Sequence, residues 1–193
     1  MLVADLNDLF ERLKPLKERK GILWFGVSGS WRQTNVEIER SVRRAVKKII
    51  ANGGGIVSGG ALNVDYFATD EAMRSNDTAD RIKIFLPVTL DLYADHYRKR
   101  ADEGVITSRQ ANDLIIQLQE LKKRNPGSLI ENKNNKIVDN RAYLERNSEV
   151  VNASDALIVF RVNESQGTGD AIKKALDAGK DVYLEEYTIT DKL

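Results

Sequence analysis

Cysteine is absent from the 193 residues, and histidine occurs once, as His96. The first absence excludes disulfides and thiolate metal ligands, and it fits a reducing, cytoplasmic compartment. The two together set aside nucleophilic dyads built on those residues and nitrogen/sulfur metal sites. No metal and no cofactor is therefore expected. Long apolar runs are missing too, so no segment reaches the ~20 residues that span a bilayer. Met1 to Phe10 carry Asp5 and Asp8 and no basic stretch, so neither a signal peptide nor a membrane partner is expected. Charge of one sign is also lacking. Thirty Lys and Arg stand against 29 Asp and Glu, a net +1 that gives no global pull toward nucleic acid and leaves only a local basic groove open.

What is present is an ordinary globular composition, 41% apolar and 31% charged, in a length that one domain can fill. Helical and strand signals alternate along it. Leu2, Leu6, Leu9, Phe10 and Leu13 predict an amphipathic helix over residues 1–20, ended by Pro15 and the Lys17–Gly21 stretch. That helix either packs on the domain or offers a stripe for a homodimer. Ile22 to Val27 reads as a central strand covered on both faces. Thr34 precedes Glu37 by three residues, the spacing of a capping box. The helix it opens buries Val42, Ala45, Val46, Ile49 and Ile50. Its arginines and lysines read as a solvated face. Strand Ile56-Val57, a helix from Asn63 to Arg74 and strand Ile82 to Leu86 follow, a β-α-β-α-β run that implies parallel strands. Leu90 to Ala101, Ser108 to Lys123 and Asp139 to Ala153 read as helices. Ala156 to Phe160 is a buried strand, Ala171 to Ala178 a helix and Asp181 to Leu184 the last strand. The predicted architecture is a doubly wound, mainly parallel α/β sheet over residues 21–193. A helical insertion at about 90–124 falls between its third and fourth strands.

Three turns leave strands and enter helices: Ser28–Thr34, Ser58–Asn63 and Glu164–Asp170. All are rich in Gly, Ser and Thr. Glycine lets a ligand approach the main chain. Free N–H groups at a helix start, helped by the helix dipole, suit an anion, usually phosphate. In an open parallel sheet all three would lie at the carboxyl edge, where ligands sit. The expected binding residues are Ser28, Gly29, Ser30, Ser58, Gly59, Gly60, Ala61, Gly167, Thr168 and Gly169, with Arg32 and Arg146 as cations and Asn147 beside them. Trp31 and Arg32 could stack on a base or pair with phosphate, and Trp31 could equally be packing. Asp65 either caps its helix or meets a ribose. Asp170 is either a carboxylate at the N-terminal end of its helix or a group that handles a sugar.

The order of these pieces resembles the Rossmann-like superfamily that joins the DNA-processing protein DprA (Smf) with the LOG, or lysine decarboxylase-like, proteins. The similarity rests on Gly26-Val27-Ser28-Gly29-Ser30 with Arg32, and on Val57-Ser58-Gly59-Gly60-Ala61-Leu62-Asn63-Val64-Asp65 with Ala68 and Ala72. Later come Gly127 to Glu131, Arg146-Asn147, Ser154 to Val159 and Ser165 to Thr168. DprA-type domains imply a ligand that is a nucleotide or a short single-stranded nucleic acid. LOG enzymes imply an alternative, a phosphoribohydrolase that cleaves the N-glycosidic bond of a nucleoside 5′-monophosphate. Arg146 matches the arginine of those enzymes, and Asp170 stands near their acid. The departures are Ser165-Gln166 in place of a glycine pair, Ala171 and Ile172 where the glutamate falls, and Asn63 where glycine is usual. Relatives of this kind commonly form dimers.

Overall fold

In the computed structural model, which describes residues 1–190, seven strands form one sheet flanked by seven helices. In chain order these are β1 (Leu2–Val3), α1 (Leu6–Lys20), β2 (Trp24–Gly29), α2 (Val36–Ala51), β3 (Gly55–Ser58), α3 (Val64–Ser75) and β4 (Ile82–Leu86). There follow α4 (Leu90–Asp102), α5 (Ser108–Arg124), β5 (Leu129–Glu131), α6 (Asn140–Asn152), β6 (Ala156–Val162), α7 (Gln166–Asp177) and β7 (Asp181–Tyr187). Every strand pair is parallel, in the order β1-β7-β6-β2-β3-β4-β5. The fold is a doubly wound α/β sheet.

Burial on two faces explains why the central strands read as continuous apolar runs. In β6, Ala156, Ile158, Phe160 and Val162 join the large core that also holds residues of α1 to α5. The alternate residues, Leu157 and Val159, face a smaller cluster with Val151 of α6 and Ala171 and Ala175 of α7. The period of two along a strand, fed into two layers of helix, makes the sheet opaque to water on both sides.

The leucine stripe near the start of the chain is used inside it. Leu9 and Leu13 are buried, and the Phe10 ring lies 5.3 Å from that of Phe25 in β2. Pro15 does not end α1, as the sequence suggested. A proline inside a helix forfeits one hydrogen bond, here to Glu11, but packing holds the helix on to Lys20, where Gly21 takes φ +76°. Leu2 pairs with Val182 in β1 rather than joining the helix. The cap of α2 also differs from expectation by one residue: Asn35, not Thr34, accepts the Ile38 N–H at 2.9 Å. Asparagine caps as well as threonine does, so the choice falls to loop geometry.

The helices expected after the third sequence-predicted strand form as α4 and α5, and they lead into β5, which pairs with β4. Glu131, at the end of β5, accepts the Leu90 N–H at 2.9 Å and so caps α4, whose own N-cap Thr89 makes no side-chain bond. Among the described residues no helix is long and apolar enough to cross a membrane.

Candidate functional site at the carboxyl edge

The winding reverses between β2 and β6. From β2 the chain steps outward through β3, β4 and β5, then returns to place β6 on the other side of β2. Such a reversal opens a crevice at the carboxyl ends of the strands. The three expected turns leave β2, β3 and β6, which are neighbours in the order β6-β2-β3, so all three start from one stretch of one edge.

Side chains tie the turns together. Asn63, at the N-cap of α3, donates from Nδ2 to the Trp31 carbonyl at 2.6 Å. Asn163 donates to Gln33 Oε1 at 2.6 Å, and it exchanges bonds of 2.8 and 2.9 Å with the main chain of Ile189. Asn147 on α6 reaches Gly167 O at 3.4 Å and Asp170 at 3.1 Å. Strain is concentrated in these turns. Of the four non-glycine residues with positive φ among the described residues, Asn63 (60°) and Glu164 (51°) belong to them and Asn163 (47°) directly precedes the third. Such conformations cost roughly 1–3 kcal/mol each and gather at functional sites.

The turn after β3 departs from expectation. Its amides do converge on an oxyanion, but that anion is the carboxylate of Asp65. The Ala61 N–H donates to Asp65 Oδ2 at 3.2 Å, and the Gly59 N–H faces the same group. Ser58 to Asn63 are all buried. The glycines serve packing rather than ligand approach. A methyl group at Gly59 would lie 1.1 Å from Arg146 Nη1, and one at Gly60 (φ +65°) would lie 2.8 Å from Ile84. Ala61 and Gly59 are therefore already engaged as donors to Asp65, which is itself buried.

Arg146 lies in that interior. It extends from α6 across Gly59, and its Nη1 is 3.4 Å from Asp65 Oδ2. Its guanidinium carbon sits 5.5 Å from the centre of the Tyr143 ring. The residue is 9% exposed, and among the described residues Nε has no hydrogen-bond partner. Burial pushes the Asp65 carboxyl above the usual carboxylate range, against the pull of Arg146 and of the Ala61, Ser58 and Gly59 groups that favour its charge. Tyr93 and Tyr97 lie buried near this pair. Burial pushes both phenols up, so they are neutral donors.

The third turn is shorter than expected, because α7 already begins at Gln166. Gly167, Thr168 and Gly169 form its first turn instead of a loop. The Gly169 N–H is bonded to Ser165 O at 2.9 Å, which removes it as a free donor. Among the described residues the N–H groups of Gln166, Gly167 and Thr168 have no backbone partner, as helix geometry requires. Asp170, one turn into α7, is held by Asn147 and by Lys174 at 2.8 Å, so its carboxylate is engaged. Arg32 is exposed, with its guanidinium carbon 5.0 Å from the centre of the Trp31 ring. Gly29 allows β2 to approach Phe160 O and Val64, which would lie 2.7 and 2.5 Å from an added methyl group.

One pattern marks this edge. Six buried side-chain polar atoms lack a hydrogen-bond partner among the described residues. Five of them, Thr34 Oγ1, Ser58 Oγ (which faces Asp65 without closing a bond), Arg146 Nε, Arg161 Nε and Thr168 Oγ1, belong to β2, β3 and β6 or to the segments that border their carboxyl ends. An orphaned buried donor costs about 1–3 kcal/mol, so native proteins keep few without reason. Arg161 was missed in the sequence, although a lone cation near the end of the run Ala156 to Val162 was a visible signal. It lies beside the first turn of α7, with Nη2 3.6 Å from the place of a methyl group on Gly169. Glu186 is 3.6 Å from its Nη1. Among the described residues no group of three His, Asp or Glu side chains is placed to hold a metal ion. Two hollows, of about 190 Å³ beneath α1 and about 420 Å³ between α3 and α5, lie away from this edge.

No protein-family model matches the chain, and no curated protein sequence matches it. Solved structures do. DNA processing protein A from Helicobacter pylori, described for its single-stranded DNA binding mode, superposes with a TM-score of 0.61 at 22% identity over 86% of this chain. The same protein from Streptococcus pneumoniae gives 0.58 at 18% identity over 89%. The molybdenum cofactor carrier protein from Chlamydomonas reinhardtii gives 0.51 at 15% over 86%. The chain spans 66% and 53% of the two DNA processing proteins and 77% of the carrier protein. At such identities the likeness is one of fold, and the fold of this chain is the Rossmann-like fold that DNA processing protein A and these neighbours share.

Proposed function

We propose that the carboxyl edge binds the phosphate of a nucleotide-derived ligand or of a short single-stranded nucleic acid. The observation that carries this reading is the group of orphaned buried donors around the ends of β2, β3 and β6. Phosphate oxygens accept from amides at a helix start and from hydroxyl and guanidinium donors, which is the set available here. The first turn of α7 seats the phosphate, through the Gln166, Gly167 and Thr168 amides and Thr168 Oγ1. Arg161 and Arg146 Nε supply positive charge, Ser28 and Gly29 at the end of β2 and Ser30 just beyond it face the ligand with Arg32, and Asn147 stands beside the start of α7. The DNA processing neighbours favour the same ligand class by analogy of fold.

Binding is favoured over cleavage of an N-glycosidic bond because both candidate carboxylates are engaged. Asp65 is buried against Arg146, and Asp170 is held by Asn147 and Lys174. A general acid or base must be within reach of the group it serves.

The test is a thermal-shift screen over nucleoside monophosphates and short single strands, followed by chromatography for released base. A ligand at one hundred times its Kd stabilises by about 2.7 kcal/mol. For a chain of this length that is a rise of about 5–10 °C in Tm. Thr168→Val, which removes a hydroxyl at nearly constant volume, should weaken binding about fivefold, the share of one hydrogen bond. No shift with any phosphate-bearing ligand would refute the reading, and released base would move it to the hydrolase.

A further inference from the structure

Trp31 is a large aromatic residue outside the hydrophobic core. It belongs to neither hydrophobic cluster and is half-buried, while other large aromatics such as Phe160 and Tyr93 are closed inside. It stands on the turn after β2, within the same stretch of edge as the orphaned donors. The guanidinium of Arg32 lies 5.0 Å from the centre of its indole, and Arg32 makes no ion pair among the described residues.

The main chain beneath the indole is fixed more firmly than an exposed loop needs to be. Trp31 O accepts from Asn63 Nδ2 at 2.6 Å, and Asn63 holds a φ of 60° to reach it. Ser30 Oγ accepts the Gln33 N–H at 3.4 Å, and Gln33 accepts in turn from Asn163. The indole is thereby anchored to the turns after β3 and β6 together. A half-exposed aromatic on an anchored main chain, with an exposed cation beside it, is a stacking surface for a planar ring, since every nucleobase has a π-face and a guanidinium can close a stack from the other side.

We propose that Trp31 and Arg32 form the base platform of this site, so that its ligand is a nucleotide read through its base and not a bare phosphate or sugar phosphate. This deepens the phosphate-binding reading and rests on it. The phosphate lies on the first turn of α7, and the base stacks on the indole of the facing turn.

The chain carries two tryptophans, which makes the test direct. Trp24 lies at the opposite edge of the sheet, its ring 3.7 Å from Lys83 Nζ, so Trp24→Phe leaves Trp31 as the sole indole reporter. Adenosine 5′-monophosphate and ribose 5-phosphate are titrated by calorimetry against wild type, Trp31→Phe and Trp31→Leu, and by emission against the Trp24→Phe protein. In wild type the nucleotide should bind at least about tenfold tighter than the sugar phosphate, the scale of one base stack. That ratio should fall toward one in Trp31→Leu and lie between in Trp31→Phe, while the Trp31 emission is quenched by the nucleotide alone. Should Trp24→Phe fail to fold, the difference in quenching between wild type and Trp31→Phe reads the same event. Equal binding of both ligands in wild type, or a ratio that survives Trp31→Leu, overturns the platform and leaves the phosphate site standing. Binding of neither ligand, nor of inorganic phosphate, overturns both.

Discussion

The Gly59→Ala substitution probes the contact that links the turn after β3 to α6. No backbone strain enters, since Gly59 is not among the positive-φ glycines. The added methyl would lie 1.1 Å from Arg146 Nη1, 2.2 Å from Cζ and 2.8 Å from Nε. Carbon contacts settle at about 3.5–4 Å, so the guanidinium must retreat by about 2 Å. Its Nη1 is already 3.4 Å from Asp65 Oδ2, and the retreat takes it out of reach. Asp65 keeps its amide donors but loses its cation in a fully buried place. Removing one partner of a buried pair costs about 3–5 kcal/mol, and a contact as long as this one argues for the low end. About 3 kcal/mol corresponds to a fall of about 6–12 °C in Tm for a chain of this size. The assay is urea and thermal unfolding of wild type, Gly59→Ala, Arg146→Ala and the double variant. With Arg146 gone the methyl enters vacated space, so Gly59→Ala should then cost less than about 1 kcal/mol, which gives a coupling of about 2 kcal/mol. Additive costs, or a Gly59→Ala protein as stable as wild type, would refute the geometry.

Substitutions at two further positions test the frame around the site. Asn63→Ala should cost about 2 kcal/mol, because it keeps the unfavourable φ and loses the bond to Trp31 O; Asn63→Gly should cost less than half as much, since glycine relieves the backbone. Equal costs in thermal unfolding would show that the positive φ carries no strain. Burial raises the Glu131 carboxyl, but the Lys122 ammonium at 2.5 Å and the Leu90 N–H outweigh it, leaving a net fall below the usual 4.5. A lowered folded value means stability present above the unfolded pKa and lost as pH falls through the folded one. Glu131→Gln should therefore cost about 1 kcal/mol at pH 7, the scale of one charged hydrogen bond partly screened by solvent, and nearly nothing at pH 3. A pH-independent difference in urea unfolding would remove the charge from the account.

Much of the fold was legible because the central strands are buried on both faces and the helices carry plain stripes, so Ile22 to Val27 and Ala156 to Phe160 stood out as apolar runs. The short edge strands were not legible. Leu2–Val3 and Leu129–Glu131 hold two and three residues, too few for a period of two to show, and only their partners β7 and β4 define them. Pro15 misled because local propensity was overruled by the packing of Leu9 and Leu13. At the site, glycine spacing correctly placed three turns on one edge but could not say which groups those turns face. Gly59 and Ala61 converge on an anion that lies four residues further along the chain, the carboxylate of Asp65, and no sequence spacing distinguishes that from a phosphate. Arg161 left a visible signal, a lone cation near the end of an apolar strand, but such a residue reads first as the strand's end.

The claim at the centre is that the edge where β2 and β6 part holds a phosphate-bearing ligand. Backbone amide chemical shifts, followed by NMR as adenosine 5′-monophosphate or a short single strand is added, test it most directly. The account predicts saturable shifts centred on Gly29 and Ser30 and on Gln166 to Gly169. Shifts centred instead on Phe10, Asn52 and Gly54, which line the hollow beneath α1, or no shifts at all, would contradict it.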